Sequence, residues 1–512
     1  MASTSVNARP RRYREERSRA SGPVTRLTRH ERVDGPAKRR IASNFAFLSI
    51  AELLCRTTSV LVTLSLPARL GADGYGRVEF AFGVVFWLVL LLRDSSDVIV
   101  SRELSRHPRL IRPLVDQVLA YKTLFALVLY TGLSLIGSLT LRDRSDWMIL
   151  SLYGLMLFTT AIGLDYVYRG TERMGLVAIS LCVRTAIYAF GVLYCVRSPS
   201  RIIWVPICLT LGEVSGIALV WFHYLKSYRV PRPRLSLRFL SVIVHRGRNV
   251  CLIQLSQAMI NSADLLVVGL LMVSWSDVGR YGAPYRMATA LLTFGLILQQ
   301  AAFPTLSRLW RQTACAGRAA LDSLVEVLMT GLVPVAVGVT VLADPLVHSL
   351  LPADYKGSGF LLALVIWRAP LLILAYLYQT TLIAMNRERV GVRSLVTAAI
   401  VIGPLVAGMQ TLFGWPGAAI AVLLVGLGLV VAGYFCLASE GRQPAWHHHL
   451  ARPLTASLVM VPFCMAFQHH LLIAIIGGAL VYVLMWIALG GLRHPRLWRA
   501  VLRPPERSGA TS

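Results

Sequence analysis

Apolar stretches of roughly 20 residues recur along the chain between short polar breaks, the length that carries a helix across a ~30 Å hydrocarbon core. The pattern predicts about fourteen spans, at residues 41–66, 78–92, 114–139, 147–167, 174–196, 202–224, 249–273, 281–303, 324–342, 360–381, 390–412, 418–437, 454–467 and 471–489. The second and thirteenth are the shortest. The expected fold is an all-α polytopic membrane protein with two pseudo-symmetric six-helix lobes, residues 41–225 and 249–437, and two further helices within 438–489. A basic linker, 226–248, joins the lobes, and basic tails occupy 1–40 and 490–512.

Composition agrees with this reading. Of 512 residues 55% are hydrophobic and 15% charged, with a mean hydropathy of +0.61. A soluble domain carries roughly 25% charge, so a soluble multidomain enzyme is excluded. The net charge of +27 would suggest nucleic acid in a soluble chain, but here the basic residues follow the loops. They cluster at Arg102, Arg106, Arg109 and Arg112, and again from Lys226 to Arg248, whereas the alternate loops hold few. By the positive-inside rule both termini are expected in the cytoplasm, with no nucleic-acid partner. The Arg-rich residues 1–40 are almost free of large apolar side chains and are expected to be disordered. The loops on the other side are too short for a catalytic domain. Eight cysteines are scattered without C-x-x-C spacing, and no ligand cluster points to a metal or cofactor.

The halves repeat. Asp73-Gly74-Tyr75-Gly76, before the second span, recurs about 205 residues later as Gly279-Arg280-Tyr281-Gly282, before the eighth. Glu172-Arg173-Met174-Gly175 recurs as Glu388-Arg389-Val390-Gly391. In the first span Ser49, Glu52, Arg56 and Ser59 lie on one helical face. Gln254, Gln257, Asn261 and Asp264 hold the matching positions of the seventh. Further ionisable residues inside spans are Lys122, Arg184, Glu213, Arg286 and Arg368, with Asp165 nearer an end. Charge in a bilayer is expensive unless it faces a partner or water. The first, seventh and eighth spans are therefore expected to line one cavity between the lobes. The alternatives are helix-to-helix packing, an intrahelical Glu52–Arg56 pair and an Arg184–Glu213 salt bridge, with Lys122 snorkelling to the interface. Asp264 and Glu213 are candidates for coupling to H⁺ or Na⁺.

Several segments together resemble the polysaccharide-export, or O-antigen, flippases of the multidrug/oligosaccharidyl-lipid/polysaccharide exporter superfamily. They are Ile41-Ala42-Ser43-Asn44, the run from Leu66 to Gly76, Asp165-Tyr166-Val167-Tyr168-Arg169-Gly170, the run from Asp264 to Gly269, Val278 to Gly282 with Arg286, and Ala302 to Arg308. The resemblance implies an alternating-access transporter, not an enzyme, in the inner membrane of a bacterium. It would move undecaprenyl-pyrophosphate-linked oligosaccharide toward lipopolysaccharide or exopolysaccharide, amid membrane lipid and with glycan polymerase or export machinery as partners. A cavity holding Arg56, Arg286, Arg184 or Arg368, with Glu52, Gln257 and Asn261, would suit the diphosphate, because guanidinium forks match phosphate oxygens. The basic N-terminal tail and the two extra helices depart from the pattern. Competing readings are a peptidoglycan-precursor flippase, a drug/cation antiporter of the same superfamily using Glu52, Glu213 or Asp264, and a glycosyltransferase or polymerase.

Overall fold

The computed structural model describes residues 35–141, 143–271, 274–385, 387–439 and 446–491, so most of the two predicted basic tails lies outside the described residues. Residues 1–46 and Phe47–Ser512 form separate compact units, and the described part of the first is helical. Among the described residues the secondary structure is helical, without strands. Eleven helices there are long and apolar enough to cross a membrane, and the chain is a multi-pass helical membrane protein. Leu472, Ile476, Leu480 and Leu484 show how lipid is met: spaced four apart, each is more than half exposed, an apolar stripe that water would not tolerate.

The first two predicted spans belong to one element, α1 (Gly35–Arg106), broken only at Gly71. The expected loop between them is absent because Gly71 adopts φ 70°, ψ 177°, a conformation that a Cβ would strain, and turns the chain in one residue. Then follow α2 (Ile111–Thr140), α3 (Arg144–Ile162), the short α4 (Asp165–Gly170), α5 (Met174–Cys195) and α6 (Trp204–Ser227). The second half comprises α7 (Leu237–Leu271), α8 (Trp275–Gln312), α9 (Ala314–Val341), α10 (Ala343–Leu350), α11 (Ser358–Val365), α12 (Arg368–Ala384), α13 (Glu388–Phe413) and α14 (Trp415–Ala438). The last two helices are α15 (Trp446–Ala466) and α16 (Leu471–Ala488).

The fourth and tenth predicted spans are each divided, between α3 and α4 and between α11 and α12. Asp165 and Arg368 begin the second pieces, so both breaks place a charged side chain at a helix start inside the bundle. Ser358–Ala384 is the most enclosed of the candidate spans, 72% of its apolar window lying inside the protein. It packs against α8 and α14, so it forms the axis of the second half. The two terminal helices lie against α9, and Tyr482 donates to the Thr330 carbonyl at 2.7 Å.

Three apolar cores organise the bundle. One belongs to the second half, around Tyr281, Ile373 and Tyr378. Another lies at the arginine-rich end of the first half and contains Leu104, Val115, Tyr166 and Tyr224. The third joins both halves at the opposite end, where Tyr75, Val78 and Tyr153 pack with Ala283, Val347 and Tyr355. There the backbones touch. A Cβ on Gly76 would run into the Trp275 carbonyl, and one on Gly279 into the Ala72 carbonyl. Gly76 and Gly279, one from each repeated turn, serve this crossing, where they let helices approach at backbone distance. Tyr355 donates to the Gly71 carbonyl at 3.2 Å, and burial beside Asp354 pushes its phenol well above the usual value, which keeps it a donor.

Candidate functional site

Between the halves, on the arginine-rich side of the glycine crossing, lies a cavity of about 380 Å³. Its wall contains Glu52, Arg56, Ser59 and Thr63 of α1, Arg93 from the second limb of α1, Arg169 of α4, Thr185 of α5, and Arg286, Thr289 and Thr293 of α8. The helical spacing of 52, 56, 59 and 63 places those side chains on one face, and 286, 289 and 293 repeat the pattern across the gap. Four arginines meet one carboxylate, Glu52, which pairs loosely with Arg56 at 3.8 Å. Arg93 and Arg169 are exposed at the surface of this space, and Arg56 is half-buried. A second cavity of about 330 Å³ shares Ser59, Thr63, Thr185 and Arg286 with the first and adds Glu79, Arg184, Tyr188 and Glu213.

Arg286 joins the halves. Its Nε and Nη2 donate to the two oxygens of Glu79, each at 2.7 Å, and Tyr75 donates to the same carboxylate at 2.5 Å. The guanidinium also stands over the Phe82 ring at 5.2 Å. Glu79 is 3% exposed and Arg286 24%, so the acid is buried in the wall of the second cavity while the arginine borders both cavities. Nearer the crossing, Asp146 accepts from Arg77 at 2.8 Å and from Trp275 of the other half at 3.0 Å.

The other sequence-derived candidates fall into two groups. Arg184 bonds both oxygens of Asp165 at 2.9 and 3.0 Å and reaches Glu213 at 3.2 Å, so the expected Arg184–Glu213 pair exists within a three-member cluster beside the second cavity. The seventh-span stripe does not meet the first-span stripe. Asp264 and Arg368, 0% and 2% exposed, form an internal pair of the second half at 3.3 Å. Tyr281 donates to Asp264 at 2.9 Å, and Arg368 donates to the Asn261 carbonyl and lies 4.9 Å from the Tyr285 ring. Gln257, Asn261, Asp264 and Arg368 line neither cavity. The common face was correct as helical geometry, but Arg368 at the start of α12 and Tyr281 of α8 reach it and hold Asp264. Lys122 likewise does not snorkel: it is 1% exposed and bonds Asp97 at 2.5 Å. The side chain of Ser49 lies outside the described residues.

Sequence reasoning missed Glu79, Arg93 and Arg169. Glu79 was legible as an acid within an apolar span, four residues after the repeated tyrosine. Arg93 sits one residue beyond the predicted span, and only the continuation of α1 to Arg106 carries it into the wall. Among the described residues no cluster of three His, Cys, Asp or Glu could hold a metal.

Known proteins fit this geometry. The chain matches the polysaccharide biosynthesis protein family over residues 41–310 and belongs to it. Its fold is similar to that of the lipid II flippase MurJ in an inward closed conformation, with TM-score 0.71 and 13% identity, covering 89% of this chain and 99% of that one. It is also similar to an inward-facing multidrug resistance MATE family transporter of the MOP superfamily, with TM-score 0.58, 13% identity, and coverage of 74% and 98%. The Vibrio cholerae MATE transporter VcmN matches with TM-score 0.51, 16% identity, and coverage of 78% and 98%. No curated protein sequence matches the chain. Family and fold together make it a polysaccharide biosynthesis protein with a fold similar to those of MurJ and the MATE transporters.

Proposed function

We propose that the protein flips a polyprenyl-diphosphate-linked oligosaccharide, with an undecaprenyl chain as the lipid, from the cytoplasmic to the outer leaflet of a bacterial inner membrane. The observation that supports this most is the cavity wall, which brings Arg56, Arg93, Arg169 and Arg286 together with Glu52 as its one lining carboxylate, Arg286 being held from behind by Glu79. A diphosphate with sugars cannot enter hydrocarbon unaided. Arginines hold phosphate oxygens through charge-assisted bonds, and the Ser and Thr hydroxyls of the same wall suit sugar hydroxyls. A cationic drug would be repelled here, which argues against the antiporter reading. In this reading the arginine-rich end is cytoplasmic and the glycine crossing closes the outer side, so the empty carrier faces inward.

For coupling, Glu213 is a better candidate than Asp264. It is 28% exposed and borders the second cavity, so H⁺ or Na⁺ can reach it, while Asp264 is enclosed with its arginine. Glycan polymerase and export machinery remain the partners proposed to consume the product.

The test is reconstitution in liposomes containing undecaprenyl-diphosphate-linked oligosaccharide, with flipping read by access of an added lectin. Lipid II and a cationic dye are offered in parallel. The oligosaccharide lipid is expected to flip and the dye not to move. Transport of lipid II alone would favour the peptidoglycan reading, and transport of the dye alone would overturn the proposal.

A further inference from the structure

We infer that Glu79 is an internal competitor of the substrate's diphosphate, holding the Arg286 fork in the empty carrier and releasing it when the diphosphate binds. The inference rests on the diphosphate reading above. Three observations lead to it. The Arg286 fork is engaged by Glu79 through Nε and Nη2, so the geometry a phosphate would use is already filled by a carboxylate. Arg286 nevertheless borders both cavities and is partly exposed, which leaves it reachable by a second anion. Finally, Glu79 lies three residues from Gly76, and Arg286 seven from Gly279, so the pair ties the halves beside the backbone crossing.

Competition follows from charge. Glu79 offers one negative charge, whereas a diphosphate offers more and is also drawn by Arg56, Arg93 and Arg169. Once displaced, Glu79, which is 3% exposed in the paired state, is left without its cation, an arrangement that burial penalises heavily. The Tyr75 hydroxyl remains as a donor but carries no charge. The penalty falls when the halves part at the crossing and water reaches the carboxylate. Substrate arrival thereby favours release of the outer closure, while an empty carrier keeps it shut.

The experiment uses the full-length protein in nanodiscs, with undecaprenyl diphosphate as the probe. Its affinity is measured for the wild type, Glu79→Gln and Glu79→Asp, alongside thermal unfolding. Spin labels at positions 144 and 356, in a cysteine-replaced background, report the distance across the outer end. Apparent affinity scales with the fraction of carrier whose arginine is free, so Glu79→Gln is expected to bind about tenfold tighter or more, and Glu79→Asp about threefold tighter because its shorter arm loses one bond of the fork. The aspartate keeps the cavity's charge, so tightening there reflects lost competition and not added attraction. The label distance should lengthen in the wild type only with probe, and in Glu79→Gln without it. Wild-type binding with equal or weaker binding in both variants overturns the inference alone. Absence of binding in all three overturns the diphosphate reading and the inference with it. Where Glu79→Gln does not fold, Glu79→Asp decides: equal affinity and an unchanged distance reject the competition.

Discussion

Tyr75 and Tyr281 occupy equivalent places in the two halves, each just before the glycine that follows the turn, and each donates its hydroxyl to a buried carboxylate, Glu79 at 2.5 Å and Asp264 at 2.9 Å. The acids come from different positions. Glu79 follows its tyrosine by four residues on the same helix, while Asp264 reaches its tyrosine from the preceding helix. Their arginines differ as well: Asp264 takes Arg368 of its own half, and Glu79 takes Arg286 of the other. One tyrosine–acid–arginine set thus stabilises a lobe, and the other joins two lobes and borders the cavity.

The internal set should behave as a structural element. Asp264→Asn leaves Arg368 buried without a counter-charge and is expected to lower stability by about 3–5 kcal/mol. A combined Asp264→Leu, Arg368→Met variant should regain much of that loss, because removing both charges removes the desolvation they require. Thermal unfolding in detergent checks both, and diphosphate binding by the folded fraction should stay near wild type, since neither residue lines a cavity.

Arg286 should be needed for transport. Arg286→Ala is expected to abolish flipping, and Arg286→Lys to restore it only in part, since a lysine keeps the charge but not the planar fork. Normal flipping by the alanine variant, at matched amounts of folded protein, would remove Arg286 from the substrate path.

A side chain at the crossing should hold the halves apart. The Cβ of Gly76→Val overlaps the Trp275 carbonyl, so the backbones cannot close. A cysteine placed at Thr63, in the cavity wall, should then react with an impermeant reagent added on the outer side, whereas with Gly76 intact it should be protected.

Glu213→Gln tests coupling. The amide keeps the shape and a hydrogen bond to Arg184 but cannot carry a proton or hold a cation by charge. Gradient-driven flipping should fall about tenfold or more while substrate binding changes little, as expected when an intramembrane acid serves ion movement. Unchanged flipping under an imposed gradient would assign Glu213 to structure.

The orientation is open to direct labelling. Cysteines introduced at the exposed positions 109 and 356 lie at opposite ends of the bundle. In intact cells the first should be shielded from impermeant thiol reagents and the second should react, following the loop charges. The reverse pattern would invert the transport direction.

Hydropathy and local spacing were enough to establish the membrane-spanning helical architecture, its internal repeat and the polar face of the first span. Each depends on residues close together in sequence, and the bilayer enforces helices wherever a long apolar run occurs. The faces that meet were not determined in the same way. Asp264 and Glu52 lie on matching stripes, but Arg368 and burial enclose the first while the second lines a cavity. Arg286 was visible as a charge in a span, yet its partner stands 207 residues earlier on a helix whose acid drew no notice. Arg93 entered the wall only because α1 continues past the apolar run. In a bilayer a buried charge must find a partner somewhere, and one sequence reveals that requirement. Which charge answers it depends on how the helices pack, a relation between distant segments that only the tertiary structure decides.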